Sequence, residues 1–269
     1  MIRRPSSPCH LYWPAISAIR VGLCRAFIAL GLLWASLSHG QEHSWPWASA
    51  AISNDVVQYR AVAVDKASGS SYAAGDLQNS SLLSLVGVSL LAQNQALLSK
   101  FDDAGANIWT AVIGGTGVET GESVAIAPDG SIYITGTFTG TCYFYNQGGI
   151  FSAGSVNSAG STDIYLAKYS AGGSYQWSVS VGNSQADQSP LVAADANAVY
   201  LHGCFRGHLS VGGSPSSMAL NSSARNLLLA RFSHAGALLG TITGGSISDD
   251  RSASIAVDGS RIVIGYSAG

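Results

Sequence analysis

The sequence predicts an all-β protein, a β-propeller of four-stranded blades, and three observations carry that expectation. One phrase is written four times, as YRAVAVDKASGSSYAAG, GESVAIAPDGSIYITG, QSPLVAADANAVYLHG and RSASIAVDGSRIVIG. Its closing glycines, Gly75, Gly136, Gly203 and Gly265, lie 61, 67 and 62 residues apart. A second phrase falls between them, as LLSKFDDAGANIW, IYLAKYSAGGSYQW and LLLARFSHAGALLG. Repeats of this length, made of short apolar strands and glycine turns, are the pattern of propellers and arrays of β units.

Each repeat parses into four strands. The first starts near a tryptophan, as in WTAVIGG at Trp109, WSVSVG at Trp177 and WASAAIS at Trp47. The second, Ser123–Ala127 and its equivalents, alternates as a half-buried strand does. Asp129-Gly130 and Asp258-Gly259 then turn the chain, because glycine accepts positive φ without steric cost. The third is SIYITG, with Ile132 and Ile134 on one face and Tyr133 on the other. The fourth is DIYLAKY, with Ile164, Leu166 and Lys168 opposite Tyr165, Ala167 and Tyr169. This parsing places blades at about 45–108, 109–176 and 177–239, with a partial one at 240–269. About three and a half to four repeats imply an incomplete ring, since a propeller usually has four to eight blades. A four-bladed ring closed by a strand near Ser44–Ile52 is the competing arrangement.

Long polar stretches separate the third and fourth strands, most clearly Thr137 to Thr162. Long connections in compact domains are usually functional or poorly ordered. Part of this one is expected to form a hairpin, because Tyr143, Tyr145, Ile150 and Phe151 need cover. Variable stretches emerging on one face are the expected binding surface.

Residues 1–40 stand apart from the repeat domain, 41–269. Arg3, Arg4, Arg20 and Arg25 are the only charges before Glu42, and a twelve-residue apolar run follows from Ala26 to Leu37. Twelve residues span about 18 Å as a helix, short of a bilayer core of about 30 Å. With Ser38 and Gly40 as small residues at the end, the segment reads as a secretory signal peptide cleaved after Gly40. The expected location is secreted or at the cell surface, with no membrane span after cleavage. The remaining chain carries nine Lys and Arg against fifteen Asp and Glu, a formal charge of −6. With no basic cluster, nucleic acid and anionic membrane surfaces are poor partners.

From Trp109 the chain reads WTAVIGGTGVETGESVAIAPDGSIYITGTFTG and then SAGSTDIYLAKYSAGGSYQW. This resembles the bacterial SBBP β-propeller repeats, over essentially everything from Trp45 to Gly269. In the other repeats the motif is degraded. Asp163 is replaced by Gln95 or Ala96 in the first and by Asn226 or Arg225 in the third. The motif tryptophan is Gly240 at the start of the fourth. The resemblance implies a propeller of a secreted or surface protein and carries no catalytic motif.

Candidate chemistry is sparse. His202, Cys204 and His208 form an H-x-C-x-x-x-H cluster, and one face of a strand would suit a metal. The equivalent of His202 is Thr135, however, and a fourth ligand is missing nearby. Asp65, Asp129, Asp195 and Asp258 recur after the second strand, one per repeat. Calcium needs six to eight oxygens, so an Asx-turn role is expected instead. The pairs Asp102-Asp103 and Asp249-Asp250 read as solvated turns. Lys100, Lys168 and Arg231 hold one position, each before an aromatic, and read as snorkelling strand residues. Cys142 and Cys204 sit at unmatched positions, which is weak ground for a disulfide. No G-x-S-x-G, P-loop, dinucleotide fingerprint or H-E-x-x-H occurs. No catalytic, cofactor-binding or metal-binding set emerges and no cofactor is expected. The expected function is binding or display toward a protein, glycan or small ligand. The alternatives are a propeller enzyme of polysaccharide lyase or quinoprotein type, and a spacer in a larger adhesin. Open propeller edges could also drive association.

Overall fold

The computed structural model describes residues 56–78, 94–212, 214–219, 224–259 and 261–268, and the expected leader and the strand at Trp47 lie outside them. The described residues form eighteen β-strands in antiparallel sheets, with no helix among them. No helix there is long and apolar enough to cross a membrane.

The first blade is β1 (Val56–Val64), β2 (Ser71–Gln78), β3 (Gln95–Phe101) and β4 (Asn107–Gly115), hydrogen-bonded in that order. The second repeat supplies β5 (Ser123–Ile126), β6 (Ile132–Phe138), a hairpin β7 (Thr141–Tyr145) and β8 (Ser152–Asn157), then β9 (Asp163–Tyr169) and β10 (Tyr175–Gly182). The third gives β11 (Gln188–Ala194), β12 (Val199–Phe205), a hairpin β13 (His208–Val211) and β14 (Ser214–Ala219), then β15 (Asn226–Phe232) and β16 (Leu238–Gly244). β17 (Arg251–Val257) and β18 (Ile262–Ser267) form a two-stranded sheet.

Two features correct the sequence reading. The tryptophan-led strand closes a blade; it does not open one. Trp109 pairs with Lys100 and Trp177 with Lys168, because the turns at Asp102–Gly105 and Ser170–Gly173 return the chain directly onto the preceding strand. The sheets therefore fall at about 56–115, 123–182 and 188–244, one strand out of phase with the blades expected at 45–108, 109–176 and 177–239. The long polar stretch, second, is not a set of loops on one face. It folds as β7–β8 and joins the outer edge of the preceding blade, with Ile113 opposite Phe144 and Gly114 opposite Tyr143. β13–β14 extends the second blade in the same way, with Val181 opposite Val211. An unpaired strand edge is an association hazard, and each borrowed hairpin covers one. Cys142 and Phe144 turn inward, while Ile150 and Phe151 at the hairpin tip are exposed.

Both faces of the middle blade are buried, which is why its strands are apolar on both sides. Ile132, Ile134, Tyr165, Ala167 and Tyr169 pack against Trp109, Ala111 and Ile113 of the first blade. Tyr133, Ile164 and Leu166 pack the other way, against Leu228, Ala230 and Phe232 of the third. The repeat glycines have a steric reason. A Cβ on Gly75 would strike the Gln58 carbonyl, and one on Gly136 the Thr120 carbonyl, where the innermost strand crosses close by.

The four turn aspartates accept local backbone bonds. Asp65 Oδ1 takes the Ala67 N–H at 2.9 Å, Asp129 the Ser131 N–H at 2.9 Å, Asp195 the Asn197 N–H at 2.7 Å and Asp258 the Arg261 N–H at 3.0 Å. The first three are Asx turns of the kind the spacing implies, and Asp258 reaches one residue further.

Candidate functional site

The strongest departure from the repeat lies at the ends of the innermost strands, beside the repeat glycines. Strand register makes Arg60, Glu122 and Pro190 equivalent, each preceding the residue that faces Ala74, Thr135 or His202. Asp76, Thr137 and Cys204 are likewise equivalent, each following a repeat glycine. In the first two blades these positions assemble a polar cluster. Arg60 Nε donates to Asp76 Oδ1 at 2.5 Å and Nη2 to Oδ2 at 3.2 Å, a two-pronged pair with the aspartate buried. Glu122 Oε1 accepts from Thr120 Oγ1 at 3.0 Å and Thr137 Oγ1 at 3.3 Å. Burial raises the Glu122 carboxyl above its ordinary value, against the two threonine bonds and the Arg60 charge. The Asp76 bond raises Arg60 further still. The cluster thus sets the partly exposed Arg60 guanidinium near the Glu122 carboxyl and two threonine hydroxyls, with Asp76 buried behind the guanidinium.

A second polar feature repeats at every blade junction. Glu119, Asp187 and Asp250 each accept the backbone N–H four residues earlier, from Gly115 at 3.0 Å, Asn183 at 3.1 Å and Ser246 at 2.9 Å. All three are buried. Each lies by the start of the third strand of its blade, where register places Gln95, Asp163 and Asn226 in equivalent positions opposite Leu77, Phe138 and Phe205. The motif aspartate is therefore replaced by Gln95 and Asn226, which settles the two choices left open by the sequence. Only the middle junction brings two carboxyls together. The Asn183 N–H is shared between Asp163 Oδ1 at 3.2 Å and Asp187 Oδ2 at 3.1 Å. Burial pushes Asp187 up to about 8, and the charge of Asp163 adds to the rise. Burial raises Asp163 as well. At the first junction burial raises Glu119 to about 7, against the N–H bonds of Gly115 and Gly117.

The H-x-C-x-x-x-H cluster comes apart. His202 is buried, with Nδ1 2.7 Å from the Leu228 carbonyl, the bond that Thr135 makes to the Tyr165 carbonyl in the preceding blade. Cys204 accepts the Ser252 N–H at 3.1 Å, and His208 is exposed. Cys142 and Cys204 are both free and buried. Asp250, expected in a solvated turn, is a buried junction acid. Asp249 instead pairs with Arg206 at 2.6 Å and Arg225 at 3.6 Å.

Sequence reading missed the inter-blade clamp. Tyr133, Lys168 and Trp177 stand in one row across three neighbouring strands, and Tyr72, Lys100 and Trp109 form the same row one blade earlier. Lys168 Nζ lies 5.7 Å from the Tyr133 ring centroid and donates to the His234 carbonyl at 3.0 Å. Lys100 lies 5.3 Å from the Tyr72 ring and reaches the Ala171 carbonyl at 3.5 Å. The cations are thus clamps onto the next blade, with cation–π support. The recurring K/R-aromatic pair was the available signal.

No family model matches the chain. A 192-residue stretch is 28% identical to Regulatory protein FlaEY of Caulobacter vibrioides, covering 66% of this chain and 19% of that protein. A 90-residue stretch is 34% identical to a protein of Acanthamoeba polyphaga mimivirus named as an uncharacterized WD repeat-containing protein, L264. That match covers 33% of this chain and 6% of the mimivirus protein. The chain spans less than a fifth of the length of the curated relatives it matches. Strand order, inter-sheet packing and the WD-repeat likeness together define a propeller-like repeat β protein.

Proposed function

We propose that this chain is an exported, SBBP-type propeller module that binds a polar ligand or partner and performs no catalysis of its own. The observation that supports this reading is the Arg60–Asp76–Glu122 cluster. It interrupts the repeat at a single phase, beside the repeat glycines. A few convergent polar groups set in an apolar scaffold are the usual form of a recognition site. The arginine-bearing leader and the acidic remainder support export and a partner other than nucleic acid. A partly exposed guanidinium beside a carboxyl and two hydroxyls favours a hydroxyl-rich ligand such as a glycan.

The test is titration of the full chain against soluble oligosaccharides and short basic and acidic peptides. Arg60→Gln and Glu122→Gln serve as variants. Saturable binding that either substitution weakens at least tenfold supports the reading. Binding that neither variant changes, or no saturable binding to any probe, overturns it. Export has its own check: secreted material should begin at Gln41.

A further inference from the structure

We propose that Asp163 and Asp187 form a proton-held latch between the second and third blades, which lets this junction open locally when the shared proton is lost. The two carboxyls converge on one point. A Cβ on Gly182 would meet Asp163 Oδ1 and Asp187 Oδ2 together. The same two oxygens share the Asn183 N–H, at 3.2 and 3.1 Å. The two side chains also hydrogen-bond to each other. A carboxylate only accepts, so that bond exists only while one of the pair carries a proton.

The pair bridges two blades. Asp163 begins β9 of the second, and its Oδ2 accepts the Ala159 N–H. Asp187 lies in the connection to the third. Its own N–H donates to the Thr162 carbonyl at 2.7 Å, and its Oδ1 accepts the Arg206 N–H at 3.3 Å, just past β12. Asn183 Nδ2 donates to the Arg206 carbonyl. The charged side chain at that place is Arg206 itself, and its guanidinium pairs with Asp249 at 2.6 Å, beside Arg225 at 3.6 Å from the same oxygen.

The third junction has the same geometry and needs no proton. A Cβ on Gly245 would meet Asn226 Oδ1 and Asp250 Oδ2, and the Asn226 amide donates to the Ala224 carbonyl at 3.2 Å. At the second junction the departing proton goes to water and leaves two carboxylates facing each other in a buried site, where like charges repel. Asp187 then turns away from Asp163 and gives up the Arg206 N–H, which unties the third blade from the second at this point. Burial, and after it the Asp163 charge, raises Asp187 to about 8, so the release begins near neutral pH. The closed junction holds a proton that the open one does not, so opening grows by about tenfold for each pH unit up to 8.

Amide hydrogen exchange of the full chain, read by NMR from pH 6 to pH 8 and corrected for the intrinsic base-catalysed rate, tests this. Protection of the Asn183 and Arg206 N–H groups should fall by about tenfold per pH unit. The Ser246 N–H, the counterpart of Asn183 at the third junction, should keep its protection. The Leu166 N–H in the middle of β9 should stay better protected than Asn183 and Arg206 at every pH, which marks the opening as local. Asp163→Asn and Asp187→Asn each leave a single carboxyl, and either one should abolish the pH dependence at Arg206. Equal loss at Ser246, exchange of Asn183 and Arg206 only at the rate of Leu166, or a full slope kept in either variant overturns the proposal.

Discussion

Trp177 donates its indole N–H to the carbonyl of His234, 3.0 Å away in the turn of the next blade. Trp109 does the same to Ala171 at 3.3 Å. The turn glycines that follow, Gly173 at φ +80° and Gly236 at φ +89°, let the turn lie against the ring, since a Cβ on either would press into the indole. Aromatic, cation and turn together couple the first blade to the second and the second to the third.

Trp109 is buried, and Trp177 is partly exposed. Trp109→Ala should cost about 3–5 kcal/mol, the range for a large aromatic truncated in a core. Trp177→Ala should cost less. Trp109→Phe keeps most of the packing and loses the hydrogen bond, at about 1 kcal/mol. Urea unfolding reads all three. Equal losses for the Ala and Phe variants of Trp109 would show that packing is not the main contribution.

Gly236→Ala should destabilise by at least about 1–2 kcal/mol, the penalty for a left-handed backbone with a Cβ, before any displacement of Trp177. Thermal melting of Gly236→Ala beside Gly259→Ala separates the two effects. Gly259 has φ +80° and open space around its Cβ position. The Gly236 variant should melt lower.

The strands themselves were legible because alternation and glycine turns are local. DIYLAKY is β9 from end to end, and its two faces divide as the pattern implies, with Ile164 and Leu166 opposite Tyr165, Ala167 and Tyr169. The Asp129-Gly130 turn has φ +80° at the glycine. The phase of the blades was not legible. A repeat is cyclic, so only long-range pairing says whether Trp109 opens a sheet or closes one. The destination of β7–β8 was equally hidden, since Phe144 needs cover but does not name it. Arg60 and Glu122 stand at the same place in the first two repeat phrases, but a repeat does not say that its equivalent positions meet in space, and only the packing of one blade on the next brings them to one cluster.

The junction carboxyls make stability fall as pH rises. Asp187 is raised to about 8 and Glu119 to about 7, so the folded state holds protons that the unfolded chain releases near pH 4. By linkage this stability is full below about pH 4 and is lost as pH climbs through 7 and 8. Melting temperature should drop by about 5 °C or more between pH 6 and pH 8, taking about 1.4 kcal/mol per pH unit per proton. Asp163→Asn, which copies the Asn226 junction, should flatten the slope whatever it does to absolute stability. An unchanged slope would remove the Asp163–Asp187 pair from the account.

Arg60→Ala leaves the buried Asp76 carboxylate without its two-pronged partner, and should cost about 1–3 kcal/mol. Arg60 is 37% exposed, so solvent softens the loss. The double variant with Asp76→Ala should be less damaging than the sum of the singles, by about 0.5–3 kcal/mol in a double-mutant cycle. Strict additivity would mean the pair is not coupled.

Solution NMR of the full chain tests the blade arrangement most directly, through cross-strand contacts of the β7–β8 hairpin. Hα and amide protons of Gly114 and Tyr143, and of Ile113 and Phe144, should show strong cross-strand Overhauser effects. Trp109 should show them to Lys100 across the strand pair and to Gly173 in the turn of the next blade. Cross-strand effects from β7 to β6 or β9 of its own repeat, with none to β4, would contradict an arrangement in which each repeat lends its hairpin to the blade before it.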